Sequence, residues 1–530
     1  MLFDKVPHDI HRLVAAELKD SCPSTVLALG QSSKSLRDAV LPFLYRELVL
    51  KKGASNSNAR KAYQALIEKF RDDDQCEIAK YARSLAVKDD IPPEDLMMIL
   101  NKISEHGTLR KLSWETHVHI TRAILDKLHT TWPDLELSVC VLDRQNASNF
   151  RHRQMDMKLL SSPLLRKLIY TVYHQGHRAD EPARSEWPKL TRALVAGGSV
   201  RFLTIDNVKD GTEYYGVKVI DDNEVTEKMM RLDITPGTRL PPLEELTIRE
   251  NRYWGSSTYM WDEEHCRLLL DAMDWSHLRK LDFGADKPDA FFSVFERHLP
   301  DLKILRFGTQ NDAIGPVPRF IDSVTALESL DIARAEYSLD SLWPSIMKHK
   351  DTLREIILRP TTAGYCQPQY TKLNRLEIIA SEFPVLERLG WDAPCKFNVD
   401  AKYLEVFSSM KLKKLDLFLH VPYEASDFAA KLTQNAMGTI SPPAFTKKEA
   451  AVSAIKMMKR IKAQNPWIVW LMLHFTRTGL EDRAQPYLMF AEMQVRRTKK
   501  KGGKNEYEIR GKQEWVGVTG LEDELQLVEE

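Results

Sequence analysis

A short phrase of apolar positions recurs along the chain, spaced apolar-x-x-apolar-x-apolar. Copies stand at Leu109/Leu112/Trp114, Leu165/Leu168/Tyr170, Val200/Leu203/Ile205 and Leu243/Leu246/Ile248. They continue at Leu278/Leu281/Phe283, Leu302/Leu305/Phe307, Leu327/Leu330/Ile332 and Leu353/Ile356/Leu358, then Leu373/Leu376/Ile378, Leu386/Leu389/Trp391 and Leu412/Leu415/Leu417. The copies starting at 278, 302, 327 and 353 are separated by 24, 25 and 26 residues. The fourth and sixth positions of the phrase point to one face of a short strand, and the third and fifth to the other. Between copies the period becomes helical: Phe291, Val294, Phe295 and Leu299 form one stripe, as do Leu339, Leu342 and Ile346, and Tyr403, Leu404 and Phe407. A single strand and helix cannot bury their apolar faces alone, so the units must stack. The pattern predicts an α/β fold: a curved solenoid with parallel strands on its concave side and helices outside.

The period and phrase resemble leucine-rich repeats. The asparagine that the family carries three residues after the phrase stands at Asn251, but later copies have Asp286, Gln310 and Ala335 there, which implies a less uniform horseshoe. The leucine-rich-repeat-like solenoid is assigned to residues 51–430. On its concave face the register predicts a charge ladder, with Arg306 flanked by Asp282 and Asp331 about 4.8 Å away on neighbouring strands. Lys280, Glu355, Arg375, Arg388 and Lys414 occupy the third position of their copies. Asp282, Arg306 and Asp331 are candidates for substrate binding.

Residues 1–50 differ. Pro7 and Asp9 suit a helix start, and Ile10, Leu13, Val14 and Leu18 supply an apolar face. Ser24 suits the cap of a second helix through Val26, Leu27 and Leu29, and Ser35 to Leu44 form a third. This stretch resembles the F-box. The opening is matched by Val6-Pro7-His8-Asp9-Ile10 with Val14 and Leu18, the middle element by Ser33-Lys34-Ser35-Leu36-Arg37, and the close, typical of fungal members, by Leu44-Tyr45-Arg46-Glu47-Leu48-Val49-Leu50. The resemblance implies docking on the Skp-type adaptor of a cullin-based (SCF-type) ubiquitin ligase, with Val6, Pro7, Ile10, Val14, Leu18 and Leu27 facing the adaptor. The repeats would then hold a protein substrate. The alternative is a leucine-rich-repeat scaffold with no ligase role.

Residues 431–530 are assigned to a C-terminal cap with an acidic tail. Thr446 to Ala463 reads as an amphipathic helix, and Trp467–Phe475, Tyr487–Val495 and Glu506–Arg510 as a small antiparallel meander turning at Gly502-Gly503. Three insertions interrupt the repeats: 176–189, 209–228 and 252–261. The last holds Tyr253, Trp254, Tyr259 and Trp261, which read either as interface anchors or as rings folded back to seal the repeat ends.

Composition narrows the function classes. The 530 residues carry 76 basic and 75 acidic side chains, a formal charge of +1, so charge gives no reason to expect nucleic acid or a membrane as partner. Six scattered cysteines form no disulfide framework or C-x-x-C knuckle. No leader or membrane-spanning run is read, which points to the cytoplasm or nucleus. The motifs of hydrolases, zincins and nucleotide-binding loops are missing, so no catalytic residue, cofactor or metal is assigned. The run Asp262-Glu263-Glu264-His265-Cys266 reads as a helix start, since adjacent residues spread around a helix instead of converging on a metal. The basic run Arg496 to Lys501 reads as a soluble hairpin tip or an import signal.

Overall fold

The computed structural model describes residues 7–21, 23–53, 57–72, 76–142, 144, 147, 149–175, 184–209, 230–250, 259–284, 288–308, 315–333, 339–359, 372–394, 399, 401–420, 457–477, 489–499, 505–515 and 523–526. It divides into two units, Met1–His277 and Leu278–Glu530. Both are α/β, built on parallel strands joined through helices, as expected of a stacked repeat.

The first unit opens with three helices: α1 (His8–Ser21), α2 (Pro23–Ser32) and α3 (Lys34–Leu44). Ser33 caps α3 by accepting the Leu36 N–H, while Ser24 lies inside α2 instead of capping it. The helices close on Ala15, Val26 and Val40, with Leu18, Leu29, Phe43 and Leu44 packed around them. The inward face of α1 is therefore His11, Ala15 and Leu18, and not the Ile10–Val14 edge that apolar spacing alone selects. His11 is a polar residue on the buried side, which hides that face from a hydrophobicity reading.

Seven parallel strands follow among the described residues of this unit. They are β1 (Glu47–Leu50), β2 (Ser84–Val87), β3 (Lys111–Trp114), β4 (Glu136–Val141), β5 (Leu165–Gln175), β7 (Phe202–Lys209) and β8 (Glu245–Glu250). Their buried leucines stack in register: Leu48 on Leu85, Leu85 on Leu112, and Leu112 on Leu137. β1, β2 and β4 were not among the repeat copies. The tail of the opening fifty residues is thus the first strand of the ladder. A two-residue strand, β6 (Arg184–Ser185), returns antiparallel to β5, and α4 (Trp187–Gly197) starts directly after it, so the insertion expected over 176–189 already carries structure from 184.

The second unit repeats the plan with β9 (Lys280–Asp282), β10 (Ile304–Gly308), β11 (Ser329–Ala333), β12 (Glu355–Arg359), β13 (Arg388–Pro394), β14 (Lys414–His420) and β15 (Trp470–Arg477), all parallel. Leu281, Leu305, Leu330, Ile356, Leu389, Leu415 and Leu471 form one buried spine across them. Helices Asp289–Val294, Leu339–Met347 and Ala401–Ser409 carry the stripes read from the sequence, buried except for a half-buried Val294, and Val317–Ser323, for which no stripe was read, buries Val317, Phe320 and Ile321. Phe292, for example, meets Phe307 edge-on at 5.4 Å and Phe320 at 4.9 Å, the geometry that aromatic quadrupoles favour.

Two expectations are corrected here. The copy Leu373/Leu376/Ile378 lies in the helix Leu373–Glu382, because leucines three apart satisfy a helix as well as the repeat phrase. Arg375 therefore sits on that helix, its guanidinium 5.3 Å from the Trp343 ring and paired with Asp340, instead of lining the strand face. The rhythm also does not end at Leu419. Ile468/Leu471/Leu473 is one more copy, and β15 pairs parallel with β14 before β16 (Met489–Lys499), β17 (Asn505–Trp515) and β18 (Asp523–Gln526) continue antiparallel. Of the helix expected over 446–463, residues 457–464 are helical with Met458 and Ile461 fully buried, and 446–456 lie outside the described residues. The same holds for the turn at 502–503 and for residues 210–228 of the second insertion.

Candidate functional site

Two surfaces gather the candidate residues. The first is the outer face of α1. Ile10, Leu13 and Val14 stand at i, i+3 and i+4, on one side of the helix, and are 45%, 66% and 37% exposed. Leu27 on α2 is 53% exposed. Pro7 is exposed, and its carbonyl accepts the Ile10 N–H at 3.0 Å, starting the helix. Leu18 differs from these: it packs on the three-helix core, so it supports the surface from beneath. Val6 lies outside the described residues.

The second is the strand face of the second unit opposite the leucine spine. Register puts Arg306 directly between Asp282 and Asp331, and its Nε lies 3.7 Å and 3.4 Å from their carboxylates. Asp331 also takes Arg359 in a fork, at 2.8 Å from Nε and 2.9 Å from Nη2. A second chain runs Glu355–Arg388–Asp416–His474, with bonds of 2.7 Å and 2.6 Å to Arg388 and 3.8 Å from Asp416 to His474. Phe418 links the two chains, stacked on His474 at 4.7 Å with the Arg359 guanidinium 5.6 Å from its ring. Burial pushes the Asp416 carboxyl up, but His474 and Arg388 outweigh it and hold it below the usual carboxylate range. Asp282 and Asp331 are only 3% and 8% exposed. The ladder read from the sequence exists, and its charges are spent on one another.

The loop aromatics divide. Tyr253 and Trp254 lie outside the described residues. Tyr259 is buried: its ring meets Trp187 edge-on at 5.0 Å, and its hydroxyl accepts the Leu232 N–H and bonds His265 Nε2 at 2.7 Å. As a substrate contact it is thus corrected to a core residue, with Trp261 tilted against it at 4.3 Å and half-buried. Asp262 caps the helix Glu263–Ala272 as expected of a helix start, yet His265 and Cys266 point inward. Burial raises the Cys266 thiol to about 12.

One polar cluster was missed. Arg144 and Glu186 meet in the interior of the first unit, with the Arg144 guanidinium over the rings of Tyr170 and Tyr173 at 4.5 and 5.0 Å. The two residues are 42 positions apart in stretches without periodicity, so no local signal marks them. No family model and no curated protein sequence matches this chain.

Proposed function

We propose that this chain is the substrate-recognition subunit of a cullin-based ubiquitin ligase, with residues 1–50 acting as an F-box that docks a Skp-type adaptor. The observation that carries the reading is the outward face of α1. Ile10 and Val14, at positions where the F-box resemblance expects the adaptor, are left in solvent with Leu13 beside them by a bundle whose own core closes without them. The parallel strands then serve as the substrate-holding body, and the antiparallel strands after β15 as its cap. The chain catalyses nothing in this role. It raises the effective concentration of a bound protein near the transfer machinery, in the cytoplasm or nucleus.

The test is an affinity capture of the tagged full-length protein from cells, scored first for the adaptor and cullin. Their recovery together is the expected result. Recovery of other partners without adaptor or cullin overturns it in favour of a binding scaffold.

A further inference from the structure

The charge pattern along the second unit stops abruptly at its last parallel strand. At the edge where the strands begin, the backbone of each repeat donates to the one before: Lys303 to Arg279, Glu328 to Lys303, Arg354 to Glu328, Glu387 to Arg354, Lys413 to Glu387 and finally Val469 to Lys413, each at 2.8–2.9 Å. The side chains of this row pair along its length, Lys303 with Glu328, Arg354 with Glu387, and Glu387 with Lys413 at 2.8 Å. The next member is Val469, an apolar residue 47% exposed.

The neighbouring positions change in the same step. Counting from the spine residues Leu415 and Leu471, which pair in register, Lys411 is answered by Trp467 and Lys414 by Trp470. Trp467 is 63% exposed, more than any other large apolar residue named here except Leu13. It is held there by structure: Asn465 donates to the Leu412 carbonyl at 3.2 Å and accepts the Trp467 N–H at 3.1 Å. Trp470 lies half-buried under Lys414, whose Nζ is 5.9 Å from the ring.

The cations here differ from those elsewhere on the strand face. Arg306, Arg359 and Arg388 are all neutralised by carboxylates. Lys411 and Lys414 are exposed and have no anionic partner among the described residues. An exposed tryptophan and valine are thus bordered by Lys411 and Lys414, for which no carboxylate partner stands among the described residues.

We propose that this step is a docking site for an acidic protein segment that also carries apolar side chains. Carboxylates of the partner would meet Lys411 and Lys414, and its apolar side chains would cover Trp467 and Val469. Tryptophan at the centre of a small patch and complementary charge at its rim is the usual division of labour in recognition. The inference rests on the substrate-receptor reading and says what chemistry that receptor selects.

The test uses the full-length protein and short fluorescein-labelled peptides read by anisotropy. The probe alternates glutamate and leucine; the comparison peptides alternate glutamate with serine and lysine with leucine. The glutamate–leucine peptide is expected to bind at least about tenfold more tightly than either, and to weaken as salt rises from about 50 to 200 mM. Trp467→Ser with Val469→Ser, and separately Lys411→Glu with Lys414→Glu, are each expected to cost about tenfold or more with the melting temperature unchanged. No binding of that peptide, equal binding of the lysine peptide, or wild-type affinity in both double variants overturns the proposal. So does preferential binding to vesicles of phosphatidylcholine and phosphatidylserine, which would make the patch a membrane contact. Adaptor binding is titrated on the same preparations. Lost peptide binding with adaptor retained counts against this site alone, and lost adaptor binding with the peptide retained counts against the F-box reading alone.

Discussion

Arg144 and Glu186 form a salt bridge of 2.5 Å with 1% and 3% of their side chains exposed. The pair is also bonded outward: Arg144 donates to the carbonyls of Arg153 and Thr171, and Glu186 accepts the Tyr173 N–H at 3.0 Å, while Arg144 Nε is buried without a hydrogen bond. It ties the connection after β4 to the end of β5 and the start of α4. Taking one partner away strands the other charge in the interior, which costs about 3–5 kcal/mol in such pairs. Arg144→Met is therefore expected to lower the denaturant midpoint sharply, and Arg144→Met with Glu186→Leu to recover much of the loss.

His265 makes stability depend on pH. Burial, and then the Arg231 cation, depress its imidazole from 6.5 to about 4 against the pull of Asp262. The unfolded chain binds this proton below about pH 6.5, whereas the folded one resists it until about pH 4. Stability is complete above the unfolded value and is lost as pH falls through the window, by roughly 3 kcal/mol in all. Thermal melts from pH 7 to 4 should show that slope, and His265→Gln should flatten it.

Reversing the centre of the ladder tests whether it is structural. Arg306→Glu sets three acids in a row with Asp282 and Asp331, both already buried. Exposed pairs contribute about 0–1 kcal/mol, but a like-charge row at this burial should cost several times that. A melting temperature within error of wild type would show that the ladder is a solvated surface.

Gly390 is required by close approach. It stands where other repeats carry Asp282, Arg306 or Asp331, and a Cβ there would lie 2.6 Å from Ile357 Cγ2 and 3.1 Å from the Ile357 Cα. Ile357 is itself buried on that face. Gly390→Ala should destabilise by about 1–3 kcal/mol, as overpacking does, and Gly390→Ala with Ile357→Val should recover part of it in the same urea titration.

The stacked α/β plan and the Asp282–Arg306–Asp331 ladder were legible because a fixed register converts spacing directly into neighbours. The same phrase misled at Leu373, where a helix satisfies it, and was passed over at Ala82/Leu85/Val87, whose first position is only a methyl group. β15 was legible as a strand but not as a ladder member, since 421–456 separate it from the last regular copy. Tyr259 and Glu186 lie in polar surroundings that read as exposed loop. Their burial is decided by residues far along the chain, Leu232 and Trp187 for the first and Arg144 for the second. On α1 the apolar stripe was seen, but which side faces inward is set by α2 and α3.

The outward stripe of α1 is where the functional account stands or falls. The direct measurement is the affinity of purified Skp-type adaptor for the full-length protein and for Ile10→Asp, with a melting curve for each. Burying an isoleucine is worth roughly 1.5–3 kcal/mol, so the account expects wild type to bind and Ile10→Asp to bind at least about tenfold more weakly, with both equally folded. Adaptor binding unchanged by Ile10→Asp, or no adaptor binding by the wild type, would contradict it.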